Sequence, residues 1–182
     1  MMIILDRDGV INYESDAYIK NADEWIPIPG SVEAIARLYK AGHRVVIATN
    51  QAGLGRGYYT VDDLEGIHKK LLSELAKMGG HVEKIYYCPH HPDEACTCRK
   101  PAPGLLLQIQ KDFNVDLSHC LMIGDSLRDL QAAKAVDCPA WLVLTGNGAA
   151  LLESGEVPEN VPVFKDLSEA VDFLVPGLDQ ST

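Results

Sequence analysis

The tightest constraint on this chain sits near its start, at Met2-Ile3-Ile4-Leu5-Asp6-Arg7-Asp8-Gly9-Val10-Ile11-Asn12. Four apolar residues in a row, with no polar alternation, suit a short strand buried on both faces. The run passes straight into two carboxylates two residues apart, then a glycine. In open α/β sheets, ligands bind just beyond the carboxyl ends of the strands. Asp6 and Asp8 therefore stand where chemistry is expected. Like charges that close repel and raise one pKa unless a cation lies between them. Either a divalent metal is bound, or one acid is held protonated as a proton donor. An isolated Asp-x-Asp-Gly is more often a turn, so the rest of the chain has to decide.

The same grammar recurs downstream. Apolar runs at Arg44–Thr49, Lys84–Cys88, Cys120–Gly124 and Ala140–Leu144 read as further strands, with a short apolar run at Val161–Phe164. Between them lie segments of helical period. Ser31 fits an N-cap before Val32, Ile35, Ala36, Leu38 and Tyr39, with Gly42 as the stop. Thr60 fits the cap of a long helix carrying Leu64, Ile67, His68, Leu71, Leu72 and Leu75, closed by Gly79-Gly80. His68 on that face reads as a packed side chain rather than a ligand. Pro103 opens a helix, Leu127–Val136 forms another, and shorter ones follow near 149–153 and from Ser168. Residues 13–30 show no period and read as an ordered loop. Gly53-Leu54-Gly55-Arg56-Gly57 lacks the spacing of a dinucleotide-binding turn and reads as a mobile loop at a site mouth. Strands alternating with helices predict an α/β protein: a parallel sheet with helices on both faces, one domain over residues 1–182.

Composition narrows the partners. A net charge of −10 over 182 residues opposes a nucleic-acid partner, which needs patches of Lys and Arg. The longest apolar runs are far too short for a membrane span. The first strand leaves no room for a cleavable leader, so the cytoplasm is the expected compartment. Five cysteines in a reducing compartment argue against a disulfide framework.

Four strand ends now present polar groups: Asp6 and Asp8, Thr49, Arg99-Lys100 beyond the third strand's loop, and Asp125 in Gly124-Asp125-Ser126-x-x-Asp129. In this order and spacing they resemble the four motifs of the haloacid dehalogenase (HAD) superfamily of phosphatases, and the resemblance covers almost the whole chain. It implies a three-layer Rossmann-like fold. It also implies Asp6 as nucleophile, Asp8 as general acid and base, and Thr49 and Lys100 as holders of the phosphoryl oxygens. Magnesium would be held by Asp6, Asp125 and the main-chain carbonyl of Asp8. Asp129 is either a partner to metal-bound water or an acid on the helix surface.

A second signal is Cys88-Pro89-His90-His91-Pro92-Asp93-Glu94-Ala95-Cys96-Thr97-Cys98. Three thiols and an imidazole in so short a loop suit a closed tetrahedral zinc site. With all four positions filled by protein, such a site is structural. Metal binding there would fix residues 88–98 and aim Arg99 and Lys100, which follow at once. Cys120 and Cys138 sit in apolar context and read as inert core thiols.

The Cys-x-His…Cys-x-Cys-Arg-Lys-Pro loop, with no room between motifs for a cap domain, is similar to the capless HAD branch of heptose-bisphosphate and histidinol-phosphate phosphatases. Cys88, His90, Cys96 and Cys98 are the ligands that this pattern implies, His90 rather than His91. The resemblance further implies that Ser15, Asp16, Ala17, Tyr18, Asn50 and Gln51 lie near a sugar. It implies a small phosphorylated sugar as substrate in lipopolysaccharide-precursor synthesis, with no nucleic-acid or membrane partner, and a monomer. Arg99 is placed to grip a second, distal phosphate, which a bisphosphate has and histidinol phosphate lacks. A non-catalytic zinc-knuckle module would be expected to have lost part of the Asp6, Asp8, Lys100, Asp125 set, which is intact.

Overall fold

The structure, a computed structural model, describes residues 1–177. Six strands form one parallel sheet in the order β3-β2-β1-β4-β5-β6: β1 (Met2–Leu5), β2 (Arg44–Asn50), β3 (Lys84–Cys88), β4 (Cys120–Gly124), β5 (Ala140–Val143) and β6 (Val163–Phe164). β1 lies in the middle, Ile3 pairing with Val45 on one side and Leu121 on the other. All four of its residues are buried, as a strand covered on both faces requires.

Its side chains alternate between two cores. Ile3 and Leu5 join Val45, Ile47, Leu121 and Ile123 beneath the helices α1 (Ser31–Lys40), α3 (Val61–Lys77) and α7 (Leu167–Leu174). Met2 and Ile4 join Val46, Ala48 and Met122 beneath α4 (Gly104–Phe113) and α5 (Leu127–Lys134). The helix α6 (Gly148–Ser154) adds Leu151 to a smaller cluster with Leu130 and Leu142. The three layers expected from the sequence are present. Among the described residues no helix is long and apolar enough to cross a membrane.

Helix starts reveal where local reading held. Thr60 caps α3 as expected: its hydroxyl accepts from the Asp63 amide at 3.2 Å, and the Asp63 carboxylate accepts from the Thr60 amide at 2.8 Å. Such a box is worth about 1 kcal/mol. Ser31 is not an N-cap. Gly30 takes that position at φ 83°, and Ser31 is the first helical residue. Its hydroxyl donates to the Ile11 carbonyl at 2.6 Å, tying the helix to the loop that leaves β1. Pro103 likewise precedes α4 rather than opening it.

Residues 13–30 are ordered, as expected, because they are pinned at several points. Trp25 is fully buried, and the Lys70 ammonium donates to the carbonyls of Ala22 (2.7 Å) and Trp25 (2.9 Å). The glycine-rich stretch at the site mouth differs from expectation. Ala52–Gly55 forms a short helix, α2, packed so closely that a Cβ on Gly53 would meet the Tyr59 ring at 2.2 Å.

Candidate active site

The carboxyl ends of β1, β2 and β4 converge, and the loop after β3 returns Lys100 to the same place. Lys100 is buried to 1% exposure, with its ammonium 3.0 Å from Asp6 Oδ2 and 2.6 Å from Asp129 Oδ1. The ammonium also donates to the Ala48 carbonyl at 2.8 Å. Asn50 fixes the lysine's backbone from both sides, accepting from its amide and donating to its carbonyl, each at 3.0 Å. Asp129 is fully buried, which rules out the reading of a helix-surface acid. Its second oxygen accepts from the Ser126 hydroxyl and amide, so one carboxylate caps α5 and grips Lys100.

Burial, then the charge of Asp129, pushes the carboxyl of Asp6 well above its usual range and that of Asp125 up to about 7. Burial works against the charge on Lys100, but Asp129 and Asp6 together hold its pKa above the ordinary lysine value. The acids crowd because the backbone lets them. Gly9 and Gly146 both have positive φ, and a Cβ on either would fall 2.1 Å from Asp125 Oδ2. That oxygen accepts from the Asn147 amide at 2.8 Å.

Carboxylate oxygens of Asp6, Asp125 and Asp129 lie within 4.8 Å of one another. Asp6 and Asp125 line the smaller cleft, whereas Asp129 lies behind them on Lys100 and Ser126. Hard oxygen donors in a small cleft fit a magnesium-type cation.

Asp8 faces the other way. Its Oδ1 accepts from Arg7 Nε (3.0 Å) and Asn12 Nδ2 (2.9 Å), and its Oδ2 from Arg7 Nη2 (3.1 Å) and Gln51 Nε2 (3.0 Å). Arg7 is wholly buried, and its Nη1 lies 3.2 Å from His68 Nε2. Burial, joined by the charge of Arg7, pulls His68 down to about 3. His68 is a packed neutral side chain, as expected, but one with a polar partner. Thr49 is buried, and its hydroxyl oxygen accepts from Gln51 at 2.9 Å.

Two clefts open here. The smaller, about 60 Å³, is lined by Asp6, Thr49, Lys100, Asp125, Ser126 and Asn147 among others. The larger, about 220 Å³, is lined by Ser15, Asp16, Tyr18, Asn50, Gln51 and Arg99 among others. Asp8, Glu14, Asn50 and Arg128 border both. Ala17 is exposed and does not line the larger cleft; its carbonyl accepts from Lys20 instead. One guanidinium nitrogen of Arg99 is buried with no hydrogen-bond partner. Glu14, Arg128 and Asn147 were not anticipated. Arg128 had a usable signal, three residues past Asp125 on the first turn of a helix that starts at the site. Glu14 lies in a stretch without period, and nothing local marks it.

The thiol loop closes beside this site. Cys98 Sγ is 3.2 Å from Cys88 Sγ and from His90 Nδ1, and Cys88 Sγ is 3.7 Å from Cys96 Sγ. The four donor atoms all lie within 4.8 Å of one another, a set that fits zinc. Burial pushes the Cys88 thiol up to about 12. Against its own burial, hydrogen bonds led by the Arg99 amide bring Cys96 down to about 7. His91 points elsewhere, toward Asp93. Cys120 and Cys138 are buried, and burial raises both thiols.

A family model described as HAD-hydrolase-like matches residues 97–170. A D-glycero-beta-D-manno-heptose-1,7-bisphosphate 7-phosphatase of Pseudomonas aeruginosa is 53% identical over 96% of this chain and 97% of its own length. One from Pseudomonas putida is 54% identical over 96% and 99%. Among solved structures, the D,D-heptose 1,7-bisphosphate phosphatase of B. bronchiseptica, complexed with magnesium and phosphate, aligns with a TM-score of 0.93. It is 51% identical and covers 95% of this chain and 97% of that one. With the strand-end acids, the buried lysine and this similarity over nearly its full length, the chain belongs to the D-glycero-beta-D-manno-heptose-1,7-bisphosphate 7-phosphatase family and is a HAD-fold phosphatase.

Proposed function

We propose that this phosphatase removes the C7 phosphate from D-glycero-β-D-manno-heptose 1,7-bisphosphate through an aspartyl-phosphate on Asp6. One observation carries the substrate reading: the two clefts adjoin, one holding the Asp6–Lys100 pair and the other Arg99 with a buried nitrogen still unpaired. The reacting phosphate belongs in the first, and the sugar with its distal phosphate in the second. A bisphosphate uses both ends.

Uncatalysed monoester hydrolysis is extremely slow, so the site must position its groups and neutralise charge. Asp6 attacks phosphorus, splitting one difficult step into two. Lys100 and Thr49 hold the phosphoryl oxygens as charge moves outward. Asp8 gives a proton to the departing sugar oxygen and then takes one from the attacking water. Asp129 keeps the ammonium of Lys100 in place. Asp6, Asp125 and the carbonyl of Asp8 would hold magnesium, which when bound neutralises phosphoryl charge. Cys88, His90, Cys96 and Cys98 would hold a structural zinc that fixes the segment leading into Arg99 and Lys100. Ser15, Asp16, Tyr18 and Asn50 border the sugar. The chain works as one catalytic unit with no inserted cap.

A substrate panel tests this reading. The heptose bisphosphate should exceed histidinol phosphate in kcat/KM by at least about tenfold, the contribution of one charge-assisted contact. A preference for histidinol phosphate would overturn it.

A further inference from the structure

The carboxylate of Asp8 touches four donors supplied by Arg7, Asn12 and Gln51. Two of those residues are themselves held from behind. Arg7 can only donate, so at 3.2 Å the Nε2 of His68 must accept from it. Gln51 is buried to 3% exposure, and its Oε1 accepts from the Tyr59 hydroxyl at 2.6 Å and from Arg7 at 3.3 Å. With its oxygen so occupied and its nitrogen on Asp8 and Thr49, Gln51 has little left for a sugar. Burying a guanidinium is costly unless it is paired and hydrogen-bonded. Here the pairing serves Asp8, an acid that borders both clefts and pairs with Arg7 rather than Lys100.

We propose that Arg7 and Gln51, locked by His68 on α3 and Tyr59 ahead of it, are positioning residues that aim the carboxyl of Asp8 at the leaving oxygen. This rests on Asp8 as acid and base. In the first step, with Asp8 protonated in place of one of its four accepted hydrogen bonds, the Asp6–phosphorus bond forms, the phosphorus–oxygen bond to the sugar breaks, and the proton of Asp8 goes to that oxygen. In the second, Asp8 takes a proton from water as the aspartyl-phosphate is hydrolysed to free Asp6 and phosphate. A sugar alkoxide is a poor leaving group and needs the proton. An acidic phenol does not.

The test is the slope of log kcat/KM against leaving-group pKa. It uses substituted phenyl phosphates, with the heptose bisphosphate at the basic end, in wild type, Asp8→Asn, Tyr59→Phe, His68→Leu and His68→Gln. Tyr59→Phe and His68→Leu should steepen the slope toward that of Asp8→Asn. They should lose about ten- to thirtyfold on the sugar substrate and less than about threefold on the most acidic phenol, a fraction of what general acid catalysis supplies. His68→Gln keeps an acceptor for Arg7 and should restore the wild-type slope. A steep slope in Asp8→Asn with parallel, uniformly lowered lines in Tyr59→Phe and His68→Leu would overturn the clamp alone. A wild-type slope in Asp8→Asn would overturn the acid role of Asp8, and the clamp with it.

Discussion

The catalytic end of the sheet and the thiol loop beside it are both crowded sets of metal-type donors, but they are stabilised differently. At the catalytic end the protein brings its own cation. Lys100 sits 2.6 Å from Asp129 and 3.0 Å from Asp6, so much of the carboxylate charge is balanced within the chain. In the loop, the side-chain partners of Cys88 and Cys98 are other thiols and His90. A site with an internal counter-charge keeps its shape when its metal comes and goes. A site built only of ligands depends on the metal for its form.

The largest effect that would sharpen this contrast is in Asp6→Asn. Turnover should fall by about 10⁴ or more, since the proposed nucleophile is gone, while thermal denaturation stays near wild type because Lys100 keeps Asp129. Substantial residual activity would break the covalent mechanism. Lys100→Met strikes the counter-charge itself. It should cost about 10²–10³ in kcat and also roughly 3–5 kcal/mol of stability, because buried carboxylates lose their partner. An unchanged melting temperature would show that the internal charge balance does not hold this end together.

Metal removal separates the two regions directly. Protein purified without added zinc should carry about one zinc per chain, by the filled-coordination argument. Stripping that zinc should lower Tm by about 5–10 °C, what roughly 2–4 kcal/mol means in a domain of this size. Removing magnesium should abolish activity reversibly with little change in Tm. Equal thermal shifts from both treatments would erase the distinction. Arg99→Ala probes the junction, since Arg99 follows Cys98 directly. It should lower kcat/KM for the bisphosphate by about one to two orders of magnitude, a loss of roughly 1.5–3 kcal/mol, and small monophosphates far less. The smallest effect is Thr60→Ala at about 1 kcal/mol, read by denaturant titration.

These two regions were also legible in the sequence to different degrees. The thiol loop is local, so its cysteines and histidines stand out together, and the family resemblance selects His90 over His91. The catalytic acids were legible for another reason: each follows a buried run, and a parallel sheet brings all such ends to one edge. What local pattern could not give was where side chains turn once they arrive. Asp129 reads from sequence as a partner to metal-bound water or a surface acid, yet it spans Ser126 beside it and Lys100, 29 residues away in sequence. Gln51 looked like a sugar contact, but its amide turns inward to Asp8, Thr49 and Tyr59. Ser31 had a capping residue's identity, but the buried carbonyl of Ile11 claimed its hydroxyl. In each case a partner remote in sequence claims the side chain, alone or together with a local one.

The strand order has a consequence for the way the molecule is made. β1 leads into Asp6 and Asp8, the aspartates proposed for catalysis, and its two neighbours are Arg44–Asn50 and Cys120–Gly124. During synthesis this apolar segment emerges before both neighbours and acquires the second only after Gly124 has been added. Until then one edge of the strand is unpaired, the kind of surface that invites aggregation in slow-forming parallel sheets. Asp125 arrives with that last neighbour. Under the proposed mechanism the central pairing and the second magnesium-holding acid, Asp125, come from the same stretch, so a nascent chain shorter than this should neither hold the metal nor turn over substrate.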